Sequence, residues 1–495
     1  MKHKYILKIL FLVALCVLVA SSSTLNIISC VDLSCDVRWD KIRYFPYPDF
    51  AENISGAMNS AKNEIFGSDF AHPHAPGIYI LLGLLYKLTA VNDLVQSPFS
   101  AIVWVYLSIL GLSLFVCTIY WRVYGFYLSI ITFLLIVVIG YKQNLVFVMS
   151  ETIAFWLAIP LTTLAIRYNK NENNSTPEFL LFSLPIIILF CGVGFPSLIL
   201  MPLAILLIKL RSSESGEYFA IAQKLVPAGL LILVCAYLLI MYTEIHNLKY
   251  WVVDVNKTVR PQLINNVIAN LLMFDKPMYL VEILLYLPFE FGILFYAFKK
   301  GVISRVMLII LIFCCIGGLW RVSFGYKALP NAGIVIAVLL ALIESWSFIN
   351  KKFKCILYII FPMAIITTYL LFNLLLNKSF ANHDAIFFED SDICKLTGQN
   401  SAGCKCVTFL VFGPQIFIQN DIKQCKNQMN TWADAMGEDD RYFNVAKITA
   451  INKESIYIVP PSQFINKGSR LESLVEIIHD NYVCKSVKVD WQICK

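Results

Sequence analysis

The residues best suited to chemistry gather near the N-terminus. Asp40, Tyr44, the run Phe45-Pro46-Tyr47-Pro48-Asp49 and Glu52 come first. Asp69-Phe70-Ala71-His72-Pro73-His74-Ala75-Pro76 follows and opens directly into the apolar run Gly77-Ile78-Tyr79-Ile80-Leu81-Leu82. An acidic, aromatic loop therefore meets an apolar helix through a His/Pro turn. A carboxylate at such a boundary can take a proton from a hydroxyl or amine, and the imidazoles beside it can bind substrate or a metal. Plainer readings stand beside these. Asp49 follows Pro48 and suits the cap of a helix over residues 51–58, and His72 and His74 suit a surface turn.

Three further charges stand out. Glu151, in Met149-Ser150-Glu151-Thr152, heads an apolar segment. An ionisable group at lipid depth is costly and marks function, whereas at the interface it is merely solvated. Arg321 and Lys327 lie just before another apolar segment; they can neutralise an anionic substrate or simply snorkel to headgroups. No phosphate-binding GxxxxGK loop, GxGxxG turn, HExxH helix or GxSxG elbow accompanies them. ATP-driven transport has no support in the sequence.

On these motifs the chain resembles the membrane glycosyltransferases of the GT-C fold, which include protein O-mannosyltransferases and the aminoarabinose transferases of lipid A. Asp49 matches the essential acid of that family's first extracytoplasmic loop. His72-Pro73-His74-Ala75-Pro76, leading into residues 78–88, matches its helix-opening turn, and Asp69 resembles a second acid before that turn. Glu151-Thr152 is similar to a helix-heading acid/Thr pair. Gly192-Val193-Gly194-Phe195-Pro196-Ser197 resembles a Gly-rich break, though without its lysine. Arg321 to Pro330 is similar to an Arg-Tyr-x-x-Pro element. The family's paired prolines are split here by His74-Ala75, and Phe50 stands where it has glutamate.

The resemblance spans residues 1–375 as architecture and implies an inverting transfer from a polyprenyl-phosphate-linked sugar to a lipid, glycan or protein acceptor. Asp49 would be the general base. Asp69, His72, His74, Glu151, Arg321 and Lys327 would bind substrate, the cationic groups stabilising the departing phosphate as charge develops. A divalent metal ion is the one cofactor left open. The competing function is a non-catalytic transporter or flippase of lipid-linked saccharides. Such a protein binds at the bilayer midplane and often shows pseudo-repeated halves, whereas this chain concentrates its polar residues in one outer loop.

The elements that must hold these residues are set by hydropathy. Hydrophobic residues make up 58% of the chain and charged residues 15%, against about half and a quarter in soluble proteins. Lipid must solvate much of it. Apolar segments run over residues 77–92, 98–118, 124–141, 147–166, 178–194, 197–210, 225–243, 278–297, 306–320, 328–348 and 355–376. With the N-terminal run, residues 1–376 are expected to form about eleven to thirteen helices of an α-helical multi-pass membrane domain. The N-terminal run from Ile9 to Val19 is read as a retained helix; its Ala20-Ser21-Ser22-Ser23 end also fits a cleaved signal peptide.

The net charge of +7 is spread over short basic runs such as Lys299-Lys300 and Lys351-Lys352. That is a positive-inside pattern rather than a nucleic-acid surface. It predicts a cell inner-membrane protein with its N-terminus inside and the loop 29–75 outside. Residues 377–495 would then form a soluble, extracytoplasmic α/β domain. Strands are expected around 406–412 and 455–459 and a helix around 471–479. Six of the fifteen cysteines lie in this tail: Cys394, Cys404, Cys406, Cys425, Cys484 and Cys494. They predict at least two disulfides, with Cys30–Cys35 a further pair. Zinc is the competing use, but the tail has no CxxC pair and its histidines, His383 and His479, stand alone.

Overall fold

The structure, a computed structural model, describes residues 2–28, 48–70, 76–89, 100–126, 150–169, 179–192, 196–212, 217–249, 277–319, 329–345, 407–409 and, with short breaks, 440–495, plus a few single residues. The described chain is mostly helical, with a small sheet near the C-terminus. Its helices are α1 Lys2–Ile28, α2 Pro48–Ala61, α3 Gly77–Leu88, α4 Ser100–Tyr124, α5 Ser150–Asn169, α6 Phe179–Phe190, α7 Pro196–Ser212, α8 Glu217–Tyr242, α9 Ile245–Lys249, α10 Pro277–Lys299, α11 Arg305–Leu319 and α12 Leu329–Ser345. The tail adds β1 Val407–Phe409, α13 Asp440–Ile451, β2 Ile456–Val459, α14 Arg470–Asn481, β3 Cys484–Lys488 and β4 Trp491–Cys494.

Where they fall on described residues, the apolar segments of the sequence are helices. Among the described residues two are long and apolar enough to cross a membrane, Val103–Tyr124 in α4 and Ile221–Tyr242 in α8; others, such as Phe179–Phe190, are shorter. The 124–141 and 355–376 segments lie almost wholly outside the described residues. α8 turns Leu230, Leu233, Tyr237 and Ile240 outward, each more than half exposed. An apolar surface of that extent is stable only against lipid or another protein.

Contacts divide the chain into two units, one of residues 1–20, 109–235 and 262–383, the other of 21–108, 236–261 and 384–495. In the first, α5 and α12 form the most extensive helix pair. Gly333 permits their close approach, since a Cβ there would fall 2.9 Å from the Phe155 carbonyl oxygen. α4 is tied to α5 by polar links. Pro160 sits inside α5 and cannot donate to the carbonyl four residues back, at Trp156. The buried Tyr120 hydroxyl of α4 donates to that carbonyl instead, at 2.7 Å. Tyr124 and Thr163 hydroxyls pair at 2.7 Å. Arg167 donates to the Val123 carbonyl at 2.8 Å and pairs with Glu344 at 3.3 Å, satisfying a carbonyl that the end of α4 leaves open.

The N-terminal helix belongs to this unit's packing. Tyr5 stacks at 5.2 Å on Trp121, Phe11 meets Phe126 at 6.1 Å, and Lys8 lies 5.1 Å from the Phe126 ring centre. Cys16 is fully buried.

In the second unit the tail forms a four-stranded sheet of order β1-β2-β4-β3. β1 and β2 run parallel, with α13 in the crossover, while β2–β4 and β3–β4 are antiparallel. All of β2 is buried. α14 buries Leu471, Leu474, Val475 and Ile478, the spacing of one helical face. The expected strands and helix lie where the sequence puts them; α13, β3 and β4 are additional. Cys484 and Cys494, paired across β3 and β4, form a disulfide. The other four tail cysteines, and Cys30 and Cys35, lie outside the described residues.

Candidate functional site

Residues 48–61 of the expected outer loop are helix α2. Pro48 opens it, where a missing N–H costs nothing and φ is already helical. Asp49 is its second residue, where a carboxylate is favoured by the exposed N–H groups and the helix dipole. One turn on, Glu52 is fully buried, and Asn53, Ser55 and Ser60 are buried with it. The helix expected over residues 51–58 is therefore present and longer, and it buries four polar side chains in fourteen residues.

α2 packs along α3 through small residues. A Cβ on Gly56 would fall 2.7 Å from the Tyr79 ring, and one on Gly83 would fall 2.8 Å from the Ser60 Cβ. Tyr79, fully buried, donates its hydroxyl to Glu52 Oε1 at 2.6 Å. A carboxylate so placed is held in one rotamer by a charge-assisted hydrogen bond. Phe66 and Phe70 pack on the same Tyr79 ring at 6.1 and 6.4 Å.

The segment after α2 is a built turn. Ile65 N–H donates to Asp69 Oδ2 at 2.9 Å, Asp69 N–H donates to the Ile65 carbonyl at 2.8 Å, and Gly67 N–H donates to the Phe70 carbonyl at 2.8 Å. Gly67 has φ +88, a conformation glycine adopts without strain. Phe66 N–H donates to the Tyr242 carbonyl and the Phe66 carbonyl accepts from Glu244 N–H, both at 2.9 Å, which ties the turn to the end of α8. Asn247 Nδ2 donates to the Gly67 carbonyl at 3.0 Å. Lys87, in the last turn of α3, donates to Asn63 Oδ1 at 2.6 Å and to the Tyr242 hydroxyl at 2.8 Å. The Tyr86 hydroxyl reaches Ser108 and the Trp104 carbonyl.

Of the sequence-selected residues, Asp49 and Asp69 fall in this one assembly. Asp49 heads α2, and Asp69 closes the turn that precedes the His/Pro segment. His72 and His74, which join that turn to α3, lie outside the described residues, as do Arg321 and Lys327. Glu151 is the second residue of α5, in the other unit. Sequence reasoning named Glu52 in the acidic loop but gave it no role, although its spacing of three from Asp49 sets both on adjacent turns of any helix. It passed over Glu290 of α10, buried in a largely apolar helix and in contact with Cys315. The rule that singled out Glu151 applies to Glu290 with more force.

One group of described residues has a metal-ligand donor set. His479, Cys484 and Cys494 bring their ligand atoms within 4.8 Å of one another. A Cys₂His set suits a soft divalent ion such as zinc, with water in the fourth position. The two sulfurs are joined to each other here, and His479 Nε2 meets Gln492 Oε1 at 2.7 Å. Disulfide and metal are alternative uses of the same thiols. Compared with known proteins, the chain matches no family model and no curated sequence.

Proposed function

We propose that this chain is a multi-pass membrane glycosyltransferase that takes a sugar from polyprenyl phosphate and gives it to an acceptor at the outer membrane surface. The observation that carries the reading is the α2–α3 assembly. An acid opens a helix that is locked, through Glu52 and Tyr79, to the apolar helix beyond the His/Pro turn. A general base is effective only when its position is fixed relative to the acceptor. In the reaction the acceptor oxygen attacks the anomeric carbon. A glycosidic bond forms as the bond to the phosphate oxygen breaks, the acceptor proton passes to the Asp49 carboxylate, and polyprenyl phosphate leaves as the anion. His72, His74, Arg321 and Lys327 supply positive charge or hydrogen-bond donors to that anion, and Asp69 and Glu151 contact substrate. A divalent ion, if used, would screen the same phosphate.

The exposed apolar surface of α8 and the two helices of spanning length support the membrane setting. The second reading, a flippase for lipid-linked saccharides, is separated by one assay. Purified protein in nanodiscs is incubated with a panel of polyprenyl-phosphate sugars and candidate acceptors, and free polyprenyl phosphate is measured by mass spectrometry. Release that depends on the acceptor supports the transferase. Intact donor throughout, with donor crossing the bilayer of proteoliposomes, would favour the flippase.

A further inference from the structure

α10 and α12 enclose a cavity of about 480 Å³. Pro288, Phe289, Gly292 and Tyr296 of α10 and Leu339 and Leu342 of α12 line it. Its floor, from α12, is buried, whereas Phe289, Gly292 and Tyr296 are exposed, so it is a groove opening outward. A Cβ built on Gly292 meets nothing within 4 Å. The glycine leaves a slot that no side chain of the described protein fills.

Positive charge gathers at one end, while the buried Glu290 of α10 is engaged by Cys315 of α11. Lys300 lies 5.6 Å from the centre of the Tyr296 ring, and Lys299, Lys300 and Arg305 are all exposed around the turn that ends α10. Between residues 291 and 343 the chain has no Asp or Glu. Glu344, just beyond, is engaged by Arg167. From Pro288 to Lys300 the helix rises about 18 Å at about 1.5 Å per residue. One leaflet's hydrocarbon, half of a core about 30 Å thick, is about 15 Å deep. The groove therefore lies at acyl-chain depth beneath a cationic rim at headgroup level.

We infer that the α10–α12 groove is a binding site for an anionic phospholipid, with one acyl chain over Gly292 and its phosphate at Lys299 and Lys300. The inference rests on the membrane setting proposed above and is independent of the glycosyl-transfer reading. By the positive-inside rule these lysines face the cytoplasm, on the side of the bilayer opposite the proposed donor phosphate. Basic pockets between membrane helices on that side favour acidic headgroups, by about 1 kcal/mol or roughly fivefold for each lysine.

The test uses the full chain in detergent. Native mass spectrometry measures binding of dioleoyl phosphatidylglycerol against dioleoyl phosphatidylcholine. The wild type should prefer the anionic lipid by roughly fivefold or more. Gly292→Trp should remove most of the bound lipid of either kind, and Lys299→Gln/Lys300→Gln should keep chain binding while abolishing the preference. The lysine variants are exposed, so they test the inference even if the tryptophan variant folds poorly. Equal affinity for both lipids in the wild type, or an unchanged preference in the double lysine variant, would overturn it. Recovery of the protein in aqueous extract without detergent would instead sink the membrane setting.

Discussion

If Tyr120 replaces the donor that Pro160 takes away, its value must depend on that proline. The Trp156 carbonyl lies in the middle of α5, and its normal partner is the N–H of residue 160. With proline there, the Tyr120 hydroxyl at 2.7 Å is the partner the structure provides. Tyr120→Phe removes the donor and leaves a buried carbonyl unpaired, at a cost of about 1–3 kcal/mol in protein interiors. Hydrogen bonds between membrane helices have averaged nearer 0.6 kcal/mol, so about 1–2 kcal/mol is expected. Pro160→Ala restores the backbone donor. Tyr120→Phe in that background should cost about 0.5 kcal/mol or less, giving a coupling near 1 kcal/mol. The four proteins are compared by reversible unfolding in mixed micelles. An equal cost of Tyr120→Phe with and without the proline would refute the reasoning and leave the tyrosine as packing alone.

Gly56→Ala should destabilise the α2–α3 assembly by about 1–3 kcal/mol, because its Cβ would strike the Tyr79 ring at 2.7 Å; protease protection of residues 48–88 would report it. Loss of the Cys484–Cys494 bridge in Cys484→Ser, closing a separation of 10 residues, should lower stability by about 3 kcal/mol. Thiol labelling without reductant should leave both cysteines of the wild type unmodified. Asp49→Asn should lower transfer by about 10²–10⁴-fold while donor binding survives, with Asp40→Asn doing much less. The reverse ranking would move the base elsewhere. A reporter active only in the cytoplasm should be silent when fused after Lys495; a strong signal would invert the proposed topology.

Helices with apolar runs were legible in place, with ends off by up to eight residues, as for Glu217–Tyr242, because burial in lipid or core demands an apolar composition in the middle of a helix and not at its ends. α2 was legible in part. The Pro48-Asp49 start announced a helix over residues 51–58, inside the observed Pro48–Ala61, but the burial of Glu52, Asn53, Ser55 and Ser60 could not be read, because it is set by Tyr79 and the glycine contacts with α3. β3 was hidden for a related reason. Cys484-Lys485-Ser486-Val487-Lys488 presents little apolar face, and its place is set by pairing with β4 and by the disulfide between them.

The site was half legible. Residue type and position pointed to Asp49, and the structure sets it at the head of a helix. Asp69 looked equivalent in the sequence, yet one of its oxygens accepts the Ile65 N–H within its own turn. A carboxylate that holds a turn together is poorly placed to move a proton as well. Glu52 is the acid that the fold puts beside Asp49, and Tyr79 holds it there. Its role follows from that bond: a buried carboxyl fixed between α2 and α3 keeps the first turns of α2 from shifting relative to α3. If Asp49 is the base of the proposed transfer, its reach to the donor phosphate is set by Glu52 and Tyr79 more than by the loop around them.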